Sequence, residues 1–121
     1  MSEFGKNMED KCMCFAVRIV NLCKFLQKEQ KEYKISDQLF RSGTSIGANF
    51  AESQFAISKN DFRNKLCIAL KECNESMFWL KLLLKTGYLS NNQYESIYAD
   101  CEEIKKLLVS IVKTTGDSRF F

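Results

Sequence analysis

Apolar residues recur at steps of three and four along most of this chain. From Asn7 to Lys31 the set is Cys12, Phe15, Ala16, Ile19, Leu22, Cys23 and Leu26. Such spacing puts the apolar side chains on one stripe of an amphipathic helix. A second helix is predicted after Ile35, with Ser36 as N-cap and Leu39, Ile46, Phe50 and Ile57 on its apolar side. A third opens at Ser58, with Asp61 three residues on as a short-armed capping-box partner. Phe62, Leu66, Ala69, Leu70, Cys73, Met77, Leu80 and Leu84 form its stripe, and Lys85 and Gly87 are stop signals. Ser90 with Gln93 forms another capping box and opens a fourth helix, striped by Tyr94, Ile97, Cys101, Ile104, Leu108 and Ile111 and ended by Gly116. Short connections make consecutive helices antiparallel, so the expected fold is all-α, an up-down-up-down four-helix bundle in a single domain over residues 1–121. The final DSRFF reads as a loose tail or as a segment that docks on a neighbour.

Composition supports this reading. The chain has no proline, so nothing removes a helical donor inside these segments. Its apolar runs are too short to cross a bilayer, and MSEFGKNMEDK has no signal-peptide core. A cytoplasmic protein with no membrane role is expected. Six cysteines lack any Cys-x-x-Cys pair and there is no histidine, which disfavours a metal site. Cys12, Cys23, Cys73 and Cys101 fall on the apolar stripes, as small hydrophobes. With no nucleophile–base pair in view, no enzymatic activity, cofactor or small-molecule substrate is expected.

One stretch breaks the pattern. RSGTSIGANFAES, residues 41–53, holds two glycines, with three hydroxyl residues before Gly47, inside a helix. Each interior glycine costs about 1 kcal/mol relative to alanine. Gly43 and Gly47 are four apart and share a face, which leaves a groove that a neighbouring backbone or large side chain can fill. Three readings stand: tight packing within the chain, a subunit interface, or a phosphate or ligand site. The last is the weakest, because anion-binding glycine loops precede a helix N-terminus. Asn49, between two apolar turns, fits a register-setting buried amide.

These residues resemble the signature of the family first described as encoded in intervening sequences of 23S ribosomal RNA genes. Arg41, Ser45, Ile46, Asn49, Ala51 and Glu52 match its pattern. A second block, IALKECNESMFWLKLL from Ile68 to Leu83, is similar to the family at Ala69, Lys71, Glu72, Glu75, Trp79 and Leu80. The family often carries proline near Gly47 and glycine at Ser53, departures that suggest a subgroup. The resemblance implies antiparallel four-helix bundles assembled as homopentamers. It also implies a relation to the accessory protein of diversity-generating retroelements, a basic pentamer that binds a reverse transcriptase and nucleic acid.

Net charge is only +3, concentrated in residues 1–34 and 59–88, so one subunit is a weak trap for nucleic acid and a ring of several is a stronger one. Lys24, Lys28 and Lys31 line one edge of the first helix and are candidates for RNA or DNA phosphates, diluted by Glu29 and Glu32. Lys59, Arg63 and Lys71 on the third helix are the second candidate. A solvated helix face is the plain reading of both. Arg41, Gly43, Gly47, Asn49, Glu52, Glu72, Glu75 and Trp79 are the candidates for an interface between copies. Glu72 and Glu75 are expected to pair with Arg41 or with a lysine across that interface, not to do acid–base chemistry. The function expected is that of a non-enzymatic oligomeric bundle associating with nucleic acid, or with a reverse transcriptase or other protein. The alternative is a protein–protein scaffold with no nucleic-acid role.

Overall fold

A computed structural model describes residues 2–115. Four helices follow one another: α1 (Glu3–Glu29), α2 (Lys34–Ser53), α3 (Lys59–Lys85) and α4 (Asn91–Thr114). They pack as the expected up-down-up-down four-helix bundle, with α2–α3 the most extensive contact and α1–α4 the sparsest of the four neighbouring pairs. No helix among the described residues is long and apolar enough to cross a membrane.

The core follows the predicted stripes. Phe15, Ile19, Leu26, Leu39, Ile46, Phe50, Leu66, Leu80, Ile104 and Leu108 are buried in one cluster. Leu83, not Leu84, completes the α3 stripe at its C-terminal end. Cys12, Cys23, Cys73 and Cys101 are buried and free. Burial pushes the Cys12 and Cys23 thiols up to about 12 and 11. The Cys73 thiol is also raised, first by its hydrogen bond with Cys101 and then by burial. Thiols held protonated in this way are poor nucleophiles.

Two predicted helix signals hold as drawn. Ser90 and Gln93 close a reciprocal capping box, with Gln93 N donating to Ser90 Oγ at 3.1 Å and Ser90 N to Gln93 Oε1 at 2.9 Å. Gly87 sits at φ 84°, where Tyr88 N reaches back to Leu83 O and Gly87 N to Leu84 O, the double bond that ends many helices on glycine. Ser58 caps α3 by accepting from Asp61 N at 3.0 Å, but Asp61 bonds Ile57 N at 3.2 Å, not Ser58 N. Its short arm leaves the predicted box open.

Other boundaries move. α1 begins at Glu3, before the predicted Asn7, because Ser2 Oγ accepts from Gly5 N at 3.0 Å. It ends at Glu29, ahead of Lys31, which turns to φ 56°. Ser36 is not the N-cap of α2: it lies inside the helix, fully buried, with its hydroxyl donating back to Glu32 O and Tyr33 O. The N-cap position is Tyr33, which makes no side-chain bond; the residue before it, Glu32, does the capping, its carboxylate accepting from Ile35 N at 2.9 Å and Ser36 N at 2.7 Å. Only 7% exposed, Glu32 is therefore a structural anion, not a surface charge diluting the lysine edge. Ile57 is off the α2 stripe altogether, since the helix stops at Ser53 and Ile57 stands 94% exposed in the connection. Gly116 and the DSRFF segment lie outside the described residues.

The Glu32 cap can be tested directly. Glu32→Ala strips the acceptor from two buried donors, a loss of about 1–2 kcal/mol in urea unfolding. Ser36→Ala should cost less, because it leaves both donors capped by Glu32 and Tyr33 O still accepts from Asp37 N.

Candidate nucleic-acid interface

The glycine groove of α2 faces the chain's own α1. A Cβ on Gly43 would stand 2.8 Å from Ile19 Cγ1, and one on Gly47 would stand 3.0 Å from Cys12 Cβ. The close approach that the sequence signals is thus spent inside the bundle, where it seats α1 against α2. Asn49 is half-buried and donates to Ser45 O of its own helix at 2.8 Å.

The remaining interface candidates gather on the solvent side of the α2–α3 seam. Arg41 pairs with Glu75 at 2.6 Å, and Lys65 with Glu52 at 2.9 Å. Trp79 donates to Glu75 Oε1 at 3.4 Å and stacks edge-on with Phe78. Below them the seam closes on a buried hydroxyl pair, Ser76 Oγ to Ser42 Oγ at 2.9 Å, small side chains that let the two helices approach. Glu72 differs from its neighbours. Its Oε2 is buried with no hydrogen-bond partner. Burial and then Glu75 hold its carboxyl above the ordinary value, while Arg41 and Lys71 pull the other way. The Arg41–Glu75 pairing expected from the sequence forms within one chain.

α3 sorts its charges by side. At 3.6 residues per turn, Glu72 and Glu75 turn toward α2, whereas Arg63, Lys81 and Lys85 turn toward α4, with Lys59 and Lys71 at the edges of that sector. The Cys101 Sγ contact with Cys73 O, 3.6 Å, fixes how α4 runs antiparallel beside it. That register brings Lys105 and Lys106 alongside Lys71, and Lys113 alongside Lys59 and Arg63. Lys105 and Lys106 line one shallow cleft with Met77, Glu102 and Val109, and Lys105 lies near enough to Cys73 to act on its thiol. The ion pairs Lys11–Glu103, Arg18–Asp100, Arg41–Glu75 and Lys65–Glu52 draw on none of Lys59, Arg63, Lys71, Lys105 and Lys106. Arg63 Nε is buried without a hydrogen-bond partner.

The second lysine candidate therefore grows from three residues on one helix to a two-helix face. Lys105, Lys106 and Lys113 were missed in the sequence because helix four carries more acid than base. Two of the four acids go elsewhere: Asp100 and Glu103 turn to α1, where they meet Arg18 and Lys11 at 2.6 Å and 3.0 Å, while Glu102 stays in the cleft with Lys105 and Lys106. Lys24, Lys28 and Lys31 are all exposed, but they form a line along one helix end, and Lys31 Nζ is turned onto Lys28 O at 3.0 Å. Among the described residues no three cysteines or carboxylates converge as metal ligands.

Comparison with known proteins agrees with the architecture. A solved structure similar to this chain is that of a protein with unknown function from the S23 ribosomal protein family of Bacteroides thetaiotaomicron VPI-5482. It has a TM-score of 0.89 and 58% sequence identity, over 90% of this chain and 97% of that one. No curated protein matches the chain. The family described as 23S rRNA-intervening sequence protein matches residues 7–110, which take in all of α2 and α3 and most of α1 and α4. The chain belongs to the 23S rRNA-intervening sequence protein family.

Proposed function

We propose that this protein is a non-enzymatic, self-assembling helical bundle that associates with nucleic acid through phosphate contacts. It acts alone or with a nucleic-acid enzyme such as a reverse transcriptase. The observation that carries the reading is the one-sided charge of α3 and α4: Lys59, Arg63, Lys71, Lys105 and Lys106 on one outer face, with the acids of both helices mostly turned away. Lys59 to Lys71 spans about 18 Å of helix, roughly five base-pair steps of duplex. The family's description, which places its members in 23S rRNA genes, supports a nucleic-acid setting.

Assembly strengthens the field. The α2–α3 outer seam offers Ile68, 39% exposed, and Trp79 to a neighbouring copy. Five copies of 14.0 kDa and charge +3 give 70 kDa and +15. Light scattering at micromolar protein should return an oligomer of about that mass, and a labelled duplex RNA or DNA should bind at about 50 mM salt. A 14.0 kDa species would sink the assembly, and no binding by either nucleic acid would end the phosphate reading.

A protein–protein scaffold is the second reading. It is favoured by Phe55 and Ile57, which stand 81% and 94% exposed in the α2–α3 connection. Loss of binding to a protein partner, with nucleic-acid binding unchanged, in Phe55→Ser/Ile57→Ser would assign them that role.

A further inference from the structure

Two adjacent sides of the bundle carry apolar rows that no helix of the same chain covers. Each helix packs on the next and α4 returns to α1, so the section is a square with α2 and α4 at opposite corners. On the α1–α2 side, Met13 is 60% exposed and Val17 52%. Val20 shares a cleft with exposed Phe40, which carries the row across to α2. On the α2–α3 side, Ile68, Glu75, Trp79 and Leu82 follow at steps of seven, four and three, with Phe78 edge-on against the Trp79 ring. Exposed apolar side chains in a contiguous row mark a contact surface more often than isolated ones do.

α2 belongs to both sides and sets the height of each row. Gly43 lies against Ile19 and Gly47 against Cys12, while Ser42 meets Ser76 and Glu52 meets Lys65. At 1.5 Å per residue, Met13 then stands within about 4 Å of the level of Ile68, Val20 and Phe40 within about 3 Å of Trp79, and Lys6 within about 3 Å of Glu52. The rows match in height, and an acid on one side is level with a base on the other. Covering the α2–α3 side strands little charge. Arg41 and Glu75 are already paired at 2.6 Å, and burial already favours the neutral form of Glu72.

We infer that copies meet by unlike sides: the α1–α2 row of one, Met13, Val17, Val20 and Phe40, packs on the α2–α3 row of the next, Ile68, Trp79 and Leu82. This rests on the assembly proposed above and names the surface that the α2–α3 seam meets. Unlike faces make a head-to-tail contact, which closes as a ring when the turn per copy fits. Adjacent sides of a square bundle stand about 90° apart, near the about 108° between the two contact sides of a copy in a ring of five. The corner between them, α2, then points at the ring axis, and Ser45 and Ala48 keep its outer row slim enough for several copies to converge there. α4 faces outward, which leaves the basic α3–α4 face open to phosphates.

Two variants, each with one side blocked, test it. Met13→Asp blocks the α1–α2 row and Ile68→Asp the α2–α3 row, with folding checked by circular dichroism. Each alone should fall to 14.0 kDa in light scattering, because every contact in the ring then includes a blocked side. Mixed in equal amounts they should form a pair, two chains of 14.0 kDa or about 28 kDa, and nothing larger, since each still offers the side that the other needs. A mixture that stays at 14.0 kDa, or a single variant that keeps the wild-type mass, overturns the pairing, while an oligomeric wild type leaves the assembly standing. A wild type of 14.0 kDa overturns both. Cross-linking gives a readout that needs no dissociation. In a Cys14→Ser/Cys67→Ser background, a chain with both Met13→Cys and Ile68→Cys should give a ladder of covalent species under oxidised glutathione, ending at the ring's copy number. Either cysteine alone should give none. A covalent dimer from Met13→Cys alone, or no ladder from the double variant, overturns the head-to-tail geometry.

Discussion

Gly43→Leu should be the most damaging single substitution in α2, and its damage should appear in each chain's stability before it appears in assembly. Even the first added carbon meets Ile19 Cγ1 at 2.8 Å, inside any distance that packed carbons adopt. Ile19 is fully buried and β-branched, so it has little rotamer freedom with which to retreat. Overpacking of this kind costs about 1–3 kcal/mol, occasionally more. Leucine adds three carbons beyond the one that already collides, so the upper end is expected. The gain from replacing an interior glycine, about 1 kcal/mol, offsets only part of it. Against a stability of about 5–15 kcal/mol, a net loss of about 2 kcal/mol is large, and the melting midpoint should fall by about 8 °C. Gly43→Ala is the finer probe, with a clash of one carbon set against the same propensity gain. Combining it with Ile19→Ala makes room for the new methyl. Unfolding free energies of the two single variants and the pair should show a coupling of about 1 kcal/mol or more. Additive losses, or a Gly43→Ala chain more stable than wild type, would show that α1 does not press on this glycine.

That result would also explain why the glycines were only half legible. Spacing says that Gly43 and Gly47 share a face and that something comes close to it. It cannot say whether the visitor is Ile19 of the same chain or a side chain of another, because that depends on how α1 is rotated. Short-range signals fared better. The Ser90–Gln93 box and the Gly87 stop involve groups three to five residues apart, and the structure draws them as the sequence does. Ser36 was misread for a physical reason: Glu32 lies in the connection with a longer arm, reaches the Ile35 and Ser36 donors of α2, and takes the capping role that the serine was expected to fill. Ile57 was misread because a seven-residue step from Phe50 suits a helix that has already ended at Ser53. The basic face was legible only by half. Lys59, Arg63 and Lys71 share one helix and can be seen by counting, whereas Lys105 and Lys106 join them only through the register of α3 on α4.

Charge reversal on that two-helix face should abolish most nucleic-acid binding while leaving the fold alone. Lys59, Lys71 and Lys106 are all exposed, so replacing them with glutamate removes no core contact. Lys59→Glu even places an acid in the first turn of α3, where the helix dipole favours it. Each phosphate neutralised contributes about −0.9 to the slope of log affinity against log salt on duplex DNA. With Lys59, Arg63, Lys71, Lys105 and Lys106 engaged, one subunit's slope should be near −4 to −5, a loss of several hundredfold in affinity between about 50 and 200 mM salt. The triple reversal should flatten that slope by about 3 and weaken binding equally for unrelated sequences, because phosphate contacts carry no base information. The same three changes on Lys24, Lys28 and Lys31 are the control on the α1 edge. A salt titration of one labelled duplex against wild type and both triple variants, at matched particle mass, decides between the faces. Equal slopes for wild type and the Lys59/Lys71/Lys106 variant, with a flattened slope for the α1 variant, would move the phosphate contact to the end of α1. That outcome would make the α3–α4 bases an ordinary solvated surface.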